Sequence, residues 1–187
     1  MTTPIIMLLL MMSPYLFLRL LSFVTHRHYN AQRPAATGLA FLFIFTGVGH
    51  FIDTESMAEM LPAWVPERVL LVWLTGALEL TLAAGFLNEK YSRFTGWLAS
   101  VILVLFFPIN IYAALNHIPM GGHVWGPVYL LIRAPLQAFI LLWIYWFVIK
   151  GASREIDETV GLEIWRDRKL SRSPSSKSLI TLKERTP

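Results

Sequence analysis

The chain has 187 residues and a net charge of +4, and 55% of its residues are apolar whereas only 15% are charged. A soluble domain carries about 25% charged residues, so this composition excludes a soluble globular or disordered protein and indicates an integral membrane protein. The chain has no cysteine, which excludes disulfides, iron–sulfur clusters and thiol redox chemistry.

Five apolar stretches reach the roughly 17–25 residues that a membrane-spanning helix needs. They cover residues 5–24, 35–52, 69–87, 94–115 and 128–149. The first stretch contains Pro14 and Arg19 and is also compatible with a signal peptide, but it lacks a basic start and a small-residue cleavage site. We therefore predict five transmembrane helices and expect the first one to be retained.

The number of Lys and Arg residues alternates between high and low along the connections of these helices. Residues 19–33 contain three arginines and no acid, residues 53–68 contain four acids and one arginine, residues 88–93 contain two bases, and residues 116–127 contain none. Nine of the 16 Lys and Arg residues lie in the last 38. Because cytoplasmic segments are enriched in Lys and Arg, we expect a multi-pass protein of the cell (inner) membrane with its N-terminus outside and its tail in the cytoplasm.

These spans and charges divide the chain into three predicted regions. Residues 1–33 form an N-terminal transmembrane helix and a basic cytoplasmic loop, and residues 34–149 form a four-helix membrane core. Residues 150–187 form a basic cytoplasmic tail that is partly disordered, since its final part is rich in serine and proline. A basic tail beside a hydrophobic bundle suits anionic lipid headgroups better than nucleic acid.

Two segments outside the spans also show helical spacing. Apolar residues recur along the connection 53–68, which predicts a short helix at the outer interface with Trp64 as its aromatic anchor. In the tail, Ile156, Val160 and Ile164 stand four residues apart. This spacing predicts a helix on the cytoplasmic membrane surface.

Five polar side chains inside the apolar stretches are the most informative residues. They are His50, Glu79, Asn110, Arg133 and Gln137. Ionisable residues at membrane depth are rare and face the interior of the bundle. At about 1.5 Å of rise per residue, Arg133 lies about 8 Å, Gln137 about 14 Å and Glu79 about 15 Å below the outer ends of their helices. We therefore predict one polar cavity that opens outward, in which Arg133 reaches Glu79.

Other interpretations of these residues stay open at this point. Glu79 and Arg133 also suit a purely structural ion pair, whose charges cancel each other's desolvation. His50 lies about 3 Å from the outer end of its helix, so it is either an interfacial histidine or a proton carrier. A metal site is the weakest alternative, because its ligands would lack the tight spacing of known motifs, and we predict no metal. Its ligands would be His50, Asp53, His117 and His123.

At these positions the sequence resembles the DoxX / DoxX-like family of small membrane proteins. Four stretches within residues 34–149 carry the resemblance: GVGHF with MLPAWVP (47–51 and 60–66), TGALE (75–79), FPINIY (107–112) and LIRAPLQ (131–137). The resemblance implies an all-α integral membrane helical bundle with a four-helix DoxX-like core, to which the extra N-terminal transmembrane helix and the basic tail are additions. The family's embedded polar residues fall on His50, Glu79, Asn110, Arg133 and Gln137.

The family is associated with thiosulfate:quinone oxidoreductase and terminal oxidase complexes, which implies a partner of a redox system. We therefore expect an accessory subunit that binds a quinone or another small amphiphile, with Arg133 and Gln137 holding a ligand oxygen and Glu79 exchanging a proton through His50. Any enzymatic role would be that of an oxidoreductase subunit without its own metal or thiol centre.

Two other functions remain alternatives. The first is a non-enzymatic structural or assembly subunit whose Glu–Arg cluster only fixes helix packing. The second is a small-anion transporter, although the chain shows no inverted repeat. Under all three, the expected partners are membrane lipids, subunits of a redox complex and a second copy of the chain. We expect no intrinsic cofactor, a quinone as ligand and no nucleic acid.

Overall fold

The computed structural model describes residues 2–26, 30–118, 123–151, 162 and 164–166. Every regular element within these residues is helical, which confirms the predicted all-α class. Five helices are long and apolar enough to cross a membrane, and they are Thr3–Thr25, Gln32–Ile52, Arg68–Leu87, Glu89–Leu115 and Trp125–Ile149. Apart from their ends, they coincide with the five stretches predicted from the sequence.

Short connections join the helices. In chain order they are α1 (Thr2–Thr25), α2 (Gln32–Ile52), α3 (Thr54–Glu59), α4 (Arg68–Leu87), α5 (Glu89–Leu115) and α6 (Leu130–Trp143). A 3₁₀ segment (His123–Tyr129) precedes α6, and a π-helical turn (Ile144–Ile149) continues it. Gly126 interrupts the 3₁₀ segment at φ 66° and ψ −149°, a backbone conformation that essentially requires glycine.

Two helix ends differ from the prediction for local reasons. Helix α5 begins at Glu89, well before the predicted apolar stretch, because the Asn88 side chain accepts a hydrogen bond from the Lys90 N–H at 3.1 Å and caps the helix. Helix α3 ends at Glu59, and two prolines follow it within seven residues. The predicted interfacial helix is therefore short, and Trp64 lies beyond it with 82% of its surface exposed.

The chain divides into two compact units, Met1–Lys150 and Gly151–Pro187. The first unit holds the five long helices. In the second, Leu162 and residues 164–166 are helical. The predicted helix positions Ile156 and Val160, and the segment predicted to be disordered, lie outside the described residues.

Small residues let α2 pack closely against both of its neighbours. A Cβ atom on Gly38 would overlap the backbone carbonyl of Met11 in α1. Farther along α2, a Cβ atom on Gly76 of α4 would lie 3.1 Å from the Gly47 carbonyl oxygen and 2.7 Å from the His50 Cβ. Small residues at such crossings allow membrane helices to approach at backbone distance, so α2 occupies the centre of the first unit.

This crossing also brings two of the polar residues together. His50 stands one turn after Gly47 in α2, and Glu79 stands one turn after Gly76 in α4. Helices α2 and α4 are consecutive spans and run in opposite directions. Side chains lean toward the N-terminus of their own helix, so His50 and Glu79 lean toward each other across the crossing.

The outer surface of the long helices is largely apolar. On α1, for example, Ile5, Leu9 and Phe17 are 59–69% exposed, as expected of side chains that face lipid. An ion pair between Arg33 and Glu89 joins the first turns of α2 and α5. Both of its side chains are exposed, so it contributes little to stability.

Candidate ligand-binding cavity

A cavity of about 920 Å³ lies among the helices of the first unit. All five long spans and α3 contribute to its wall. The five polar residues identified in the sequence all line it: His50, Glu79, Asn110, Arg133 and Gln137. Small-molecule sites occupy about 300–1,000 Å³, so the cavity is large enough for a ligand.

The His50 ring is anchored to its own helix. Its Nδ1 lies 2.9 Å from the Thr46 carbonyl oxygen and 3.7 Å from Oε2 of Glu79. Since a carbonyl oxygen only accepts hydrogen bonds, Nδ1 carries a proton and donates it to Thr46. The Glu79 carboxylate is therefore a close neighbour of the ring but does not accept this hydrogen bond.

The Glu79 carboxylate is buried, with 8% of the residue exposed. Among the described residues, no donor lies within hydrogen-bonding distance of its Oε2 atom. The basic side chains near it are His50 and Arg133, and the Thr46 hydroxyl lies beside it. That hydroxyl donates to the Leu42 carbonyl at 3.2 Å. Buried polar atoms are normally hydrogen-bonded, so Oε2 is an unsatisfied acceptor in the wall of the cavity.

Arg133 does not form the predicted contact with Glu79. Both residues are described, yet no nitrogen of Arg133 lies within 4.0 Å of a Glu79 carboxylate oxygen. Instead, Arg133 Nε donates to Asn110 Oδ1 at 3.2 Å, and Nη1 lies 4.0 Å from the sulfur of Met7. The guanidinium therefore turns toward α5 and α1. Arg133 and Glu79 both line the cavity but do not form an ion pair with each other. The expectation was wrong because depth along a helix does not fix the direction of a side chain around it.

The two amide side chains bind backbone carbonyls of α5. Asn110 Nδ2 donates to Phe106 at 3.0 Å, within its own helix. Gln137 Nε2 donates to Leu103 at 2.7 Å and so ties α6 to α5. Pro108 lies between these turns and lacks an N–H, which weakens the backbone hydrogen bonding of α5 here. The Asn110 amide thus supports α5 with its nitrogen and holds the guanidinium with its oxygen.

The remaining wall is mainly apolar and reaches the surface of the bundle. One stripe of α2 both lines the cavity and is exposed, and its members are Phe41, Ile44, Phe45 and Val48. From α1, Thr3, Met7 and Leu10 line the same cavity. The cavity also reaches the surface at the end of α2, where the exposed Ile52 and Asp53 line it. Its apolar opening lies between α1 and α2, on a surface that lipid would cover. We call this opening the α1–α2 portal.

Two residues of the wall were not predicted from the sequence. Tyr129 is only 2% exposed and is close enough to Arg133 to act on its charge. It stands one turn before Arg133 and two turns before Gln137, so this regular spacing was an available signal. Met7 contacts Arg133 from an apolar helix, and no sequence signal pointed to it.

The described members of the predicted alternative metal site, His50, Asp53 and His117, do not form one cluster. His50 and Asp53 line the cavity, whereas His117 packs against Gly126, where an added Cβ would meet its ring. The side chain of His123 lies outside the described residues. In the described part of the chain, no three His, Cys, Asp or Glu residues are grouped closely enough to hold a metal ion.

The sequence model of a protein family described as a domain of unknown function (DUF8561) matches residues 39–148. The match covers more than half of the chain, so the chain belongs to the DUF8561 family. It includes all five polar residues of the cavity wall but not α1. No curated protein and no solved structure matches the chain.

Proposed function

We propose that this member of the DUF8561 family is a multi-pass protein of the cell (inner) membrane that binds a quinone or a similar small amphiphile, as an accessory subunit of a membrane redox system. The cavity carries the proposal: five polar side chains line it, while the rest of its wall is mainly apolar and opens at the α1–α2 portal. A molecule with a polar head and an apolar tail complements both parts.

The polar part of the wall suits an oxygen-bearing head group. The Nε of Arg133 donates to Asn110, and Nη1 lies 4.0 Å from the sulfur of Met7. A guanidinium has five N–H donors, so on this proposal those not used by the described residues hold a ligand oxygen. Glu79 lies on the same wall with an unsatisfied oxygen. The apolar tail would extend through the α1–α2 portal into the lipid, which lets the ligand enter from the membrane without crossing water.

Glu79 and His50 offer the bound head group a short proton path. The two side chains are 3.7 Å apart, and a rotation that releases His50 from the Thr46 carbonyl would bring its ring to the carboxylate. In the proposed orientation, with the N-terminus outside and the tail cytoplasmic, His50 lies at the outer end of α2. Protons would therefore exchange with the outer side.

The redox role rests on the resemblance of residues 34–149 to the DoxX / DoxX-like family. On this proposal α2 and α4–α6 form the DoxX-like core, and α1 is an additional helix that covers one side of the cavity. The chain has no cysteine and hence no thiol centre. Electrons would pass between the ligand and a partner subunit, while this chain supplies the binding site and the proton path.

A structural role is the second candidate, and the amide contacts favour it. Gln137 and Asn110 both donate to backbone carbonyls of α5, as expected of side chains that fix helix packing. If packing is the only role of the cluster, replacing Arg133 leaves the set of bound molecules unchanged.

Mass spectrometry of organic extracts tests the proposal. The wild-type chain, purified gently, is compared with Arg133→Leu and with Arg93→Leu, which removes an exposed arginine away from the cavity. We expect a stoichiometric quinone or other defined amphiphile in the wild type and in Arg93→Leu, and its loss in Arg133→Leu. Bulk phospholipid alone in all three samples would refute ligand binding by the isolated chain.

A further inference from the structure

We infer that the ligand's head group is uncharged and carries a hydroxyl donor beside an oxygen acceptor, so that the site binds a quinol in preference to the quinone. This inference rests on the proposed function and specifies its ligand. It follows from the hydrogen-bonding capacity that Glu79 and Arg133 leave open where they line the cavity.

The carboxyl group of Glu79 has one oxygen that lacks a hydrogen-bond donor among the described residues. Its Oε2 is buried and has no hydrogen-bond donor among the described residues. His50 does not supply one, because its Nδ1 proton goes to the Thr46 carbonyl. The Thr46 hydroxyl lies beside the carboxyl group but makes no hydrogen bond to Oε2, and it lies 3.2 Å from the Leu42 carbonyl oxygen. An unsatisfied buried acceptor is costly, so a ligand that brings a hydroxyl donor gains the most from this position.

Arg133, in contrast to Glu79, has hydrogen-bond donors and needs an acceptor. A guanidinium has five N–H donors and no acceptor. The described residues give it one oxygen, Asn110 Oδ1, and one weak sulfur contact, Met7 Sδ. Its remaining donors require an acceptor oxygen on the ligand. The head group must therefore donate on the Glu79 side and accept on the Arg133 side.

The formal charges of Glu79 and Arg133 are opposite. A charged head group would therefore be attracted by one residue and repelled by the other, and would gain little net electrostatic stabilisation from the pair. Asp53 also lines the cavity, but it is exposed and accepts a hydrogen bond from Ser56 at 2.6 Å. A neutral head group leaves the balance of the two buried charges intact, and the same balance argues against a small anion as the ligand.

A quinol and its quinone differ in their ability to donate a hydrogen bond. A quinone presents carbonyl acceptors only, so it satisfies Arg133 but leaves Glu79 without a donor. A quinol presents hydroxyls, each of which both donates and accepts, and one such molecule can serve both residues. The structure thus favours the reduced form at this site.

Three probes with the same decyl tail isolate the donor: decylhydroquinone, its dimethyl ether and decylbenzoquinone. The dimethyl ether keeps the oxygens and the tail but removes both donors and is not oxidised under the assay conditions. Binding of each probe to the full-length chain in lipid nanodiscs is measured without oxygen. We expect the hydroquinone to bind about tenfold more tightly than either other probe, the effect of one hydrogen bond to a charged group.

The variant Glu79→Gln is close in shape and presents an amide that can also donate. We expect it to lose the preference for the hydroquinone and to bind the quinone at least as well as the wild type does. Glu55→Gln, which changes an exposed carboxylate of α3 outside the cavity wall, should keep the wild-type order. A preference for the hydroquinone that persists in Glu79→Gln would overturn the inference.

The wild-type measurements test the preference for the quinol even if a variant fails to fold. Equal binding of all three probes, or tighter binding of the quinone, would overturn the inference but leave the proposed binding function standing. If no probe binds and the extracts contain only bulk phospholipid, the proposed function fails and the inference fails with it.

Discussion

The two ends of the helix bundle use the same helices but pack them in different ways. At the packed end, large apolar side chains are almost completely buried, and they are Met11, Leu39, Phe43, Leu82 and Ile144. At the cavity end, the same helices separate around about 920 Å³ of space lined by the polar residues. The largest fully buried apolar side chains therefore lie outside the cavity wall.

Specific contacts explain the density of the packed end. Gly38 lies directly against the Met11 backbone. Near it, Trp143 packs edge-on against Tyr15 at 5.2 Å and lies 4.6 Å from Phe147. Dispersion contacts of this kind hold membrane helices together, because lipid gives little hydrophobic driving force for helix association. The contrast indicates that the packed end contributes more to the stability of the bundle than the cavity end does.

The largest expected effect comes from disrupting the packed end. Gly38→Ala places a Cβ on a backbone carbonyl that has no side-chain freedom to move away, so we expect a loss of about 2 kcal/mol or more. Gly49→Ala in the same helix is the control, since its Cβ would lie 3.6 Å from the Met57 side chain, an ordinary contact. Thermal unfolding in detergent measures both, and equal melting temperatures would contradict the assignment of the packed end.

A smaller effect is expected at the tie between α5 and α6. Gln137→Leu removes the hydrogen bond to Leu103 while keeping a side chain of similar size, so we expect a loss of about 1 kcal/mol. Phe139→Leu, at an exposed position of the same helix, should change stability by no more than about 0.5 kcal/mol. If the two variants unfold at the same temperature, the Gln137 hydrogen bond does not stabilise the bundle.

The smallest expected effect has the opposite sign. Glu79→Leu removes a buried acceptor that no described residue satisfies, so we expect the ligand-free chain to gain up to about 1 kcal/mol. The same variant should lose the bound amphiphile. Glu55→Leu on the exposed face of α3 is the control and should change neither property. A clear loss of stability in Glu79→Leu would instead support a purely structural cluster.

The sequence predicted the spans well because membrane burial imposes long apolar stretches, and the structure confirms five long apolar helices. It was less successful at helix ends, where single capping or breaking residues act, as Asn88 does at the start of α5. For the cavity, the positions of the five polar residues along their helices predicted that they share one cavity, and all five line it. Tyr129 was not predicted, although its spacing places it on the same helical face as Arg133 and Gln137. Met7 carried no signal, because a methionine in an apolar helix cannot be told from a lipid-facing residue by sequence.

Composition and periodicity alone determined that this is an all-helical membrane protein, because the bilayer demands apolar helices of a set length. They also determined roughly how far each polar group lies from the end of its apolar stretch, because the rise of a helix is constant. Only the tertiary structure decided which partner each group meets. That choice depends on the rotation and spacing of neighbouring helices, such as the close approach of Gly47 and Gly76. It turned Arg133 toward Asn110 and left Glu79 Oε2 without a donor among the described residues.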